Sequence, residues 1–335
     1  MSSPQYFSFI EQTLHYFHRP HDSLPLAPLD NPAGWRGDQL GPLEDLAWRL
    51  SDAEQEEVLA AVRSATALGK PTRDLLAEDF PLPSLAEKIS AWREQLRSGC
   101  GFVVVRGVPV ASMSRDEAEL FFWCFGLQLG RPGEQNPDGH LLGHVTDTGA
   151  AATDSAARLY KTAANIAYHC DAADVVGLLC LNKAKSGGES RIVSSVSVFN
   201  ALMEREPVLA QRLFEPVLLD IRDREVDSEG STLPIPPCRY DGHALRTFYH
   251  ADYFRSVVRH AEVGELGETE QRLFDCYEAI ANEPGMYFDM DLEPGDIQLL
   301  SNHGCLHART EYEDYPEPER RRHLLRLWLS LPSGD

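Results

Sequence analysis

Three things are scarce or missing in these 335 residues, and each closes off a class of function. Positive charge is short: 31 Lys and Arg stand against 52 Asp and Glu, a formal net charge of −21. Such a surface repels phosphate backbones, so nucleic acid is not an expected partner. The longest basic run, Arg320-Arg321-Arg322, lies inside an acidic segment. Paired cysteines are missing as well. The seven thiols, at 100, 124, 170, 180, 238, 276 and 305, are odd in number and show no Cys-x-x-Cys spacing. That disfavours a zinc ribbon, a thioredoxin-like redox pair and a secreted disulfide framework. Finally, no apolar run reaches the length of a membrane span. Residues 1–7 lack the basic-then-apolar pattern of a secretory leader. A soluble protein of the reducing cytoplasm, with no membrane partner, is expected.

What is present supports a folded core, with 43% hydrophobic residues. Ser51-x-x-Glu54, Ser84-x-x-Glu87 and Ser114-x-x-Glu117 read as capping boxes that open helices. The second leads into Leu85, Ile89, Trp92 and Leu96 on one helical face. Residues 195–214 and 268–282 also read as helical. Strand patterns begin with the apolar run 102–105. They continue through the segment carrying His169 and Asp171, and through 175–181. Met286, Phe288, Met290 and Leu292 then alternate with polar or aromatic neighbours, and 297–300 and 323–331 follow. Glu293-Pro294-Gly295-Asp296 fits a type II turn. The stretches 131–165 and 222–240 read as irregular segments that shape a pocket. Strands interrupted by helices and long loops predict an α+β protein, mainly β in its core, built as a jelly-roll barrel wrapped by helices. Residues 1–100 are expected to form a helical extension packed on a core domain of residues 101–335, in one compact unit.

The chemistry lies in a split set of residues. His169 and Asp171, two apart in Tyr168-His169-Cys170-Asp171, point to one face if they lie on a strand. A second histidine must come from elsewhere, and His303 and His307 are both available. Gly304 disfavours a helical zinc pair, and no Glu follows His303 as a metalloprotease requires. His307 is preferred. Two histidines and one carboxylate can cap one face of an iron(II) ion and leave the other face open. Arg322, Leu324, Arg326 and Trp328 are expected on one strand face, where buried cations need an anion. A bidentate arginine pair could hold a dicarboxylate. Ser190 offers a hydroxyl beside it. This pattern points to an iron- and 2-oxoglutarate-dependent oxygenase. Two rivals stand at this level: a cupin-type iron dioxygenase that uses no 2-oxo acid, and a non-catalytic β-barrel that binds a small anion.

The chain also resembles the taurine/2,4-dichlorophenoxyacetate dioxygenase family (TauD/TfdA-like, similar also to clavaminate synthase). The matching stretches are Gly101-Phe102-Val103-Val104-Val105-Arg106-Gly107, Tyr168-His169-Cys170-Asp171, Ser186-Gly187-Gly188-Glu189-Ser190, Gly295-Asp296-Ile297-Gln298 through Leu306-His307-Ala308-Arg309, and the run from Arg322 to Leu329. They cover about residues 100 to 331. The resemblance implies a double-stranded β-helix with His169, Asp171 and His307 on Fe(II), and with 2-oxoglutarate and O2 as co-substrates. It implies Arg322 on the far carboxylate of 2-oxoglutarate, with Ser190 where the family usually has Thr. It implies Arg326 and Asn165 toward a small-molecule substrate. The insertion Pro316-Glu317-Pro318-Glu319 leaves Arg322 and Arg326 able to exchange roles as cofactor-binding residues. Asp171 occupies the place a halide would need, so halogenation is disfavoured. Hydroxylation of an unactivated C–H in a small anionic or amino-acid-like molecule, releasing succinate and CO2, is the expected reaction.

Overall fold

A computed structural model describes residues 5–19, 21–147, 162–221 and 231–332. Its framework is two sheets. The strands in chain order are β1 (Trp48–Arg49), β2 (Phe102–Arg106), β3 (Arg131–Gly133), β4 (Leu142–Val145), β5 (Ile166–His169), β6 (Val175–Asn182), β7 (Ser190–Ser194), β8 (Tyr287–Met290), β9 (Ile297–Ser301), β10 (Cys305–Arg309) and β11 (His323–Ser330). The larger sheet runs β1-β2-β9-β6-β11-β3, with β4 also on β11. The smaller runs β8-β7-β10-β5. The helices that cover them are α1 (Phe9–Phe17), α2 (Asp52–Ala67), α3 (Ala86–Arg97), α4 (Arg115–Leu129), α5 (Ser195–Arg205), α6 (Pro207–Arg212), α7 (Ala251–Arg255) and α8 (Glu268–Ala281). Among the described residues no helix is long and apolar enough to cross a membrane.

Strand alternation distributes the side chains among three cores. Phe102, Val104, Val176, Leu300, Leu324 and Trp328 of the larger sheet meet Ile192, Met290 and Cys305 of the smaller one. Their neighbours Val103, Val105, Leu299, Leu325 and Leu327 point the other way, onto Val58, Trp92, Phe121 and Phe122 of α2, α3 and α4. Behind the smaller sheet, Tyr168, Val193 and Leu306 pack on Phe199 and Leu202 of α5 and Phe274 and Tyr277 of α8. Period-two alternation with both faces covered explains why 102–105 reads as one apolar run. The class is α+β with a double-stranded β-helix core. Among the described residues its main strands divide into two facing sheets and do not close into one continuous ring.

Local expectations fare unequally. Ser51 and Ser114 cap α2 and α4 in reciprocal boxes with Glu54 and Glu117. Ser84 does not cap: its hydroxyl and its N–H both turn to Glu57, 27 residues earlier, and a short 3-10 turn leads into α3. Gly295 has φ +90° in the turn before β9, and the Asp296 N–H donates to the Glu293 carbonyl at 2.8 Å. Of the two irregular stretches, residues 148–161 and 222–230 lie outside the described residues. Their flanks form short strands, including β3, β4 and an antiparallel pair of 217–220 with 232–235.

Asp174, just before β6, ties distant parts together and is only 3% exposed. It accepts from His15 (3.0 Å), Arg19 (2.7 Å), His303 (2.8 Å) and the Leu331 N–H (3.0 Å). Burial opposes its ionisation, but the bonds from His15 and His303 and the Arg19 charge outweigh it and hold its pKa far below the usual range. Burial also keeps His303 below the ordinary 6.5, against the pull of Asp174. Both groups therefore bind fewer protons folded than unfolded, so acid favours the unfolded chain. The His303 contribution is complete above 6.5 and declines as pH drops below it. The Asp174 contribution is complete above 3.8 and is lost as pH falls toward its lowered native value. Asp174→Asn is expected to cost about 3–5 kcal/mol at neutral pH, the usual penalty for breaking a buried charge cluster. It should also flatten the lower part of the curve. Urea unfolding at stepped pH between 7 and 3 checks this; an unchanged midpoint at pH 7 would refute it.

Candidate active site

His169 closes β5 and His307 sits in the middle of β10. They are cross-strand partners, their ring centroids 4.1 Å apart. Asp171 is not on the strand, contrary to the same-face argument, because β5 ends at His169. The chain then turns. The Cys170 N–H donates to the Tyr249 carbonyl (2.8 Å) and the Asp171 N–H to Asn302 Oδ1 (3.1 Å). The turn brings Asp171 Oδ2 to 3.8 Å from His307 Nε2, with the two side chains 10% and 12% exposed. One ligand atom from each of His169, Asp171 and His307 lies within 4.8 Å of the others.

The protonation states suit a metal. His169 Nδ1 faces the Ala167 carbonyl at 2.9 Å; assigned as the donor, it leaves the Nε2 lone pair available. Burial, then the neighbouring His169, pushes His307 down to about 3, so its imidazole is neutral near pH 7. Burial works against an ionised Asp171. The Arg326 charge and a 3.0 Å bond from Trp328 Nε1–H prevail and keep its pKa below the usual value. Two imidazoles and a carboxylate form a donor set that fits iron(II) and can hold it.

Of the two arginines, Arg326 lies beside this cluster. Arg322 lies one residue before β11. The ladder begins at His323, and between His323 and Leu324 its register shifts by one residue of β6, Leu181; within β11, Leu324, Arg326 and Trp328 alternate. Arg322 is nevertheless buried, at 5% exposure. Its Nη2–H donates to the Gly188 carbonyl at 3.3 Å, its guanidinium lies 5.2 Å from the Tyr312 ring centre, and Nη1 has no hydrogen-bond partner. Burial lowers its pKa, with Tyr312 opposing. Gly188, at φ +78°, is needed here, since a Cβ would come 3.0 Å from Arg322 Nε. Ser190 is buried, and its hydroxyl donates to Gln298 Oε1 (2.8 Å). Arg326 donates through Nε to Gln135 Oε1 (2.8 Å), and its Nη1 is 3.6 Å from Asp171 Oδ2. Asn165 is exposed, one residue before β5. His303 lies outside the cluster, on Asp174 and stacked on Tyr16 at 4.4 Å.

Sequence reasoning assigned no role to Asn302, Trp328, Gln135, His250 or Arg309. The His250 ring lies 5.1 Å from that of His169. Trp328 was legible as facing inward by its period with Arg326, but its N–H partner was not.

The sequence matches the family described as taurine catabolism dioxygenase TauD, TfdA, over residues 64–328. The match reaches into α2, upstream of the first recognisable motif. FR-33289 synthase from Streptomyces rubellomurinus (strain ATCC 31215) is 30% identical over 311 residues, covering 92% of this chain and 91% of the relative. Among solved structures, asparagine oxygenase in complex with Fe(II), 2S,3S-3-hydroxyasparagine and succinate is similar at a TM-score of 0.67 and 15% identity, over 85% of this chain and 93% of that one. The non-heme iron oxygenase OrfP, in complex with Fe and alpha-ketoglutaric acid, gives 0.60 and 17% over the same shares. At those identities the two structures speak for the fold. The family match and the relative at 30% go further: this chain belongs to the TauD/TfdA family and is an Fe(II)- and 2-oxoglutarate-dependent dioxygenase, with O2 as the other co-substrate.

Proposed function

We propose that this enzyme hydroxylates an unactivated C–H bond of a small anionic or amino-acid-like molecule, with His169, Asp171 and His307 holding the iron. Overall, substrate C–H, 2-oxoglutarate and O2 give the alcohol, succinate and CO2. The observation that carries the reading is the meeting of those three ligand atoms within 4.8 Å in a chain that also buries Arg322 with a bare N–H. Bound iron would supply the centre at which O2 is reduced and the C–H bond oxidised. The rest falls to the side chains. Two imidazole ligands add no charge and the Asp171 carboxylate adds one negative charge, so a bound ferrous ion would keep one net positive charge, which suits an anionic co-substrate. Arg322 would take the far carboxylate of 2-oxoglutarate, joined by the Ser190 hydroxyl once it turns from Gln298. Trp328 and Asn302 hold Asp171 at its side chain and its backbone, fixing its approach. Ile192, Leu324 and Trp328 keep the space between the sheets apolar and exclude water.

Arg326 supports the substrate class. Gln135 holds it, and it lies close enough to Asp171 that a substrate carboxylate paired with it would sit beside the metal. Asn165, just upstream of His169, is the second substrate contact in this reading. The 3-hydroxyasparagine in the similar asparagine oxygenase is of that class. Residues 1–100 are read as a helical extension of a single unit whose dioxygenase domain is 101–335; α2 and α3 share a core with β2, β9 and β11. Seven free thiols suit the reducing cytoplasm. The test uses purified protein with Fe(II), 2-oxoglutarate and a panel of amino acids and small carboxylates, following succinate, O2 and product mass. A true substrate should raise succinate in step with O2 and gain one oxygen atom. Absence of 2-oxoglutarate binding with His169 and His307 intact would overturn the reading.

A further inference from the structure

We propose that Arg309 is a second guanidinium of the co-substrate pocket, binding the far carboxylate together with Arg322 and linking its occupancy to residues 162–164. The inference rests on the reading of Arg322 above. Placement is the first argument. Arg309 follows His307 by two residues on a strand that is regular against β7, so both side chains point inward. Its cross-strand partner is Ser190. The cation therefore stands beside the hydroxyl assigned to the same carboxylate.

Charge is the second argument. Arg309 and Arg322 are each 5% exposed, and neither makes an ion pair among the described residues. They share one aromatic ring, at 4.8 and 5.2 Å from the Tyr312 ring centre. Two buried cations on one ring call for an anion of matching size.

The donor inventory is the third. Arg309 Nη2 donates to the Thr162 carbonyl at 2.7 Å and to that of Ala164. Arg309 Nε and Nη1, and Arg322 Nη1, have no hydrogen-bond partner. A carboxylate accepts several such donors at once. The same guanidinium thus clamps the peptide that leads to Asn165 and β5, a peptide also held by the Tyr312 N–H on the Ala163 carbonyl at 3.1 Å. Filling the pocket would fix the guanidinium and, through it, the clamp.

The test uses the full chain loaded with Mn(II) and kept free of O2, titrated calorimetrically with 2-oxoglutarate and with 2-oxobutyrate, which has no far carboxylate. Arg309→Met should weaken 2-oxoglutarate at least about tenfold, as expected for charge-assisted bonds, and leave 2-oxobutyrate unchanged. Arg309→Lys should recover part of the loss, since it keeps the charge without the fork. In the wild type, 2-oxoglutarate but not 2-oxobutyrate should slow amide hydrogen exchange over residues 164–169, a readout that does not depend on any variant folding. If Arg322→Met loosens 2-oxoglutarate while Arg309→Met does not, or if both acids slow exchange equally, Arg309 is a structural clamp alone and the proposal falls. A wild type that does not bind 2-oxoglutarate defeats the reading of the pocket itself, and this proposal with it.

Discussion

His307→Ala is expected to abolish succinate formation and to weaken Mn(II) or Co(II) binding by well over about a hundredfold. The bound follows from a comparison: loss of a group that merely supports a metal ligand typically costs about 10–100-fold, and a ligand itself costs more. The fold should survive. Leu306 anchors β10 behind the smaller sheet, and Cys305 fills the space between the sheets. The matched control is His303→Ala. That substitution leaves the cluster of His169, Asp171 and His307 untouched but removes a bond to the buried Asp174. It should lower stability and keep metal affinity. Metal titration and thermal melts on both variants separate the two histidines. If His303→Ala abolished metal binding and His307→Ala did not, the ligand assignment would be wrong.

Arg322→Met should have two opposite effects. Affinity for 2-oxoglutarate should drop by about 2–5 kcal/mol, roughly thirtyfold to several thousandfold in Kd, as for truncating one partner of a buried charge pair. Without co-substrate, the same variant should be as stable as the parent or more so. The native guanidinium is buried with a bare Nη1, and an apolar chain of similar length carries no desolvation cost. Melting curves with and without 2-oxoglutarate would show the signature: an equal or higher midpoint alone, and little gain on addition. A large loss of stability in the ligand-free variant would mean that Arg322 is structural.

Where a local pattern governs, the chain was readable. Residues 102–105 form a strand because both their faces are covered, and Ser51 and Ser114 cap helices whose partners lie three residues away. Ser84 has the same local pattern, yet Glu57 captures its hydroxyl from a distant turn. The metal cluster shows both sides. The identities of His169, Asp171 and His307 were legible. The way Asp171 reaches the others was not, since it depends on Asn302 and Trp328, more than a hundred residues away. Arg322 was expected on one face with Leu324, Arg326 and Trp328; the strand itself begins one residue later, at His323, and the extra residue of β6 opposite that point is not readable from alternation. Arg309 did carry a signal: two residues after His307 on a strand, it had to face the same way.

The ladder between β5 and β10 has one more consequence. Side chains on a strand change sides with every residue, so slipping β10 by one place would turn His307 toward the helices and Leu306 toward the ion. A misaligned chain would have no imidazole to offer from that strand. Metal uptake during refolding would therefore report on the alignment of β10 and not merely on its presence.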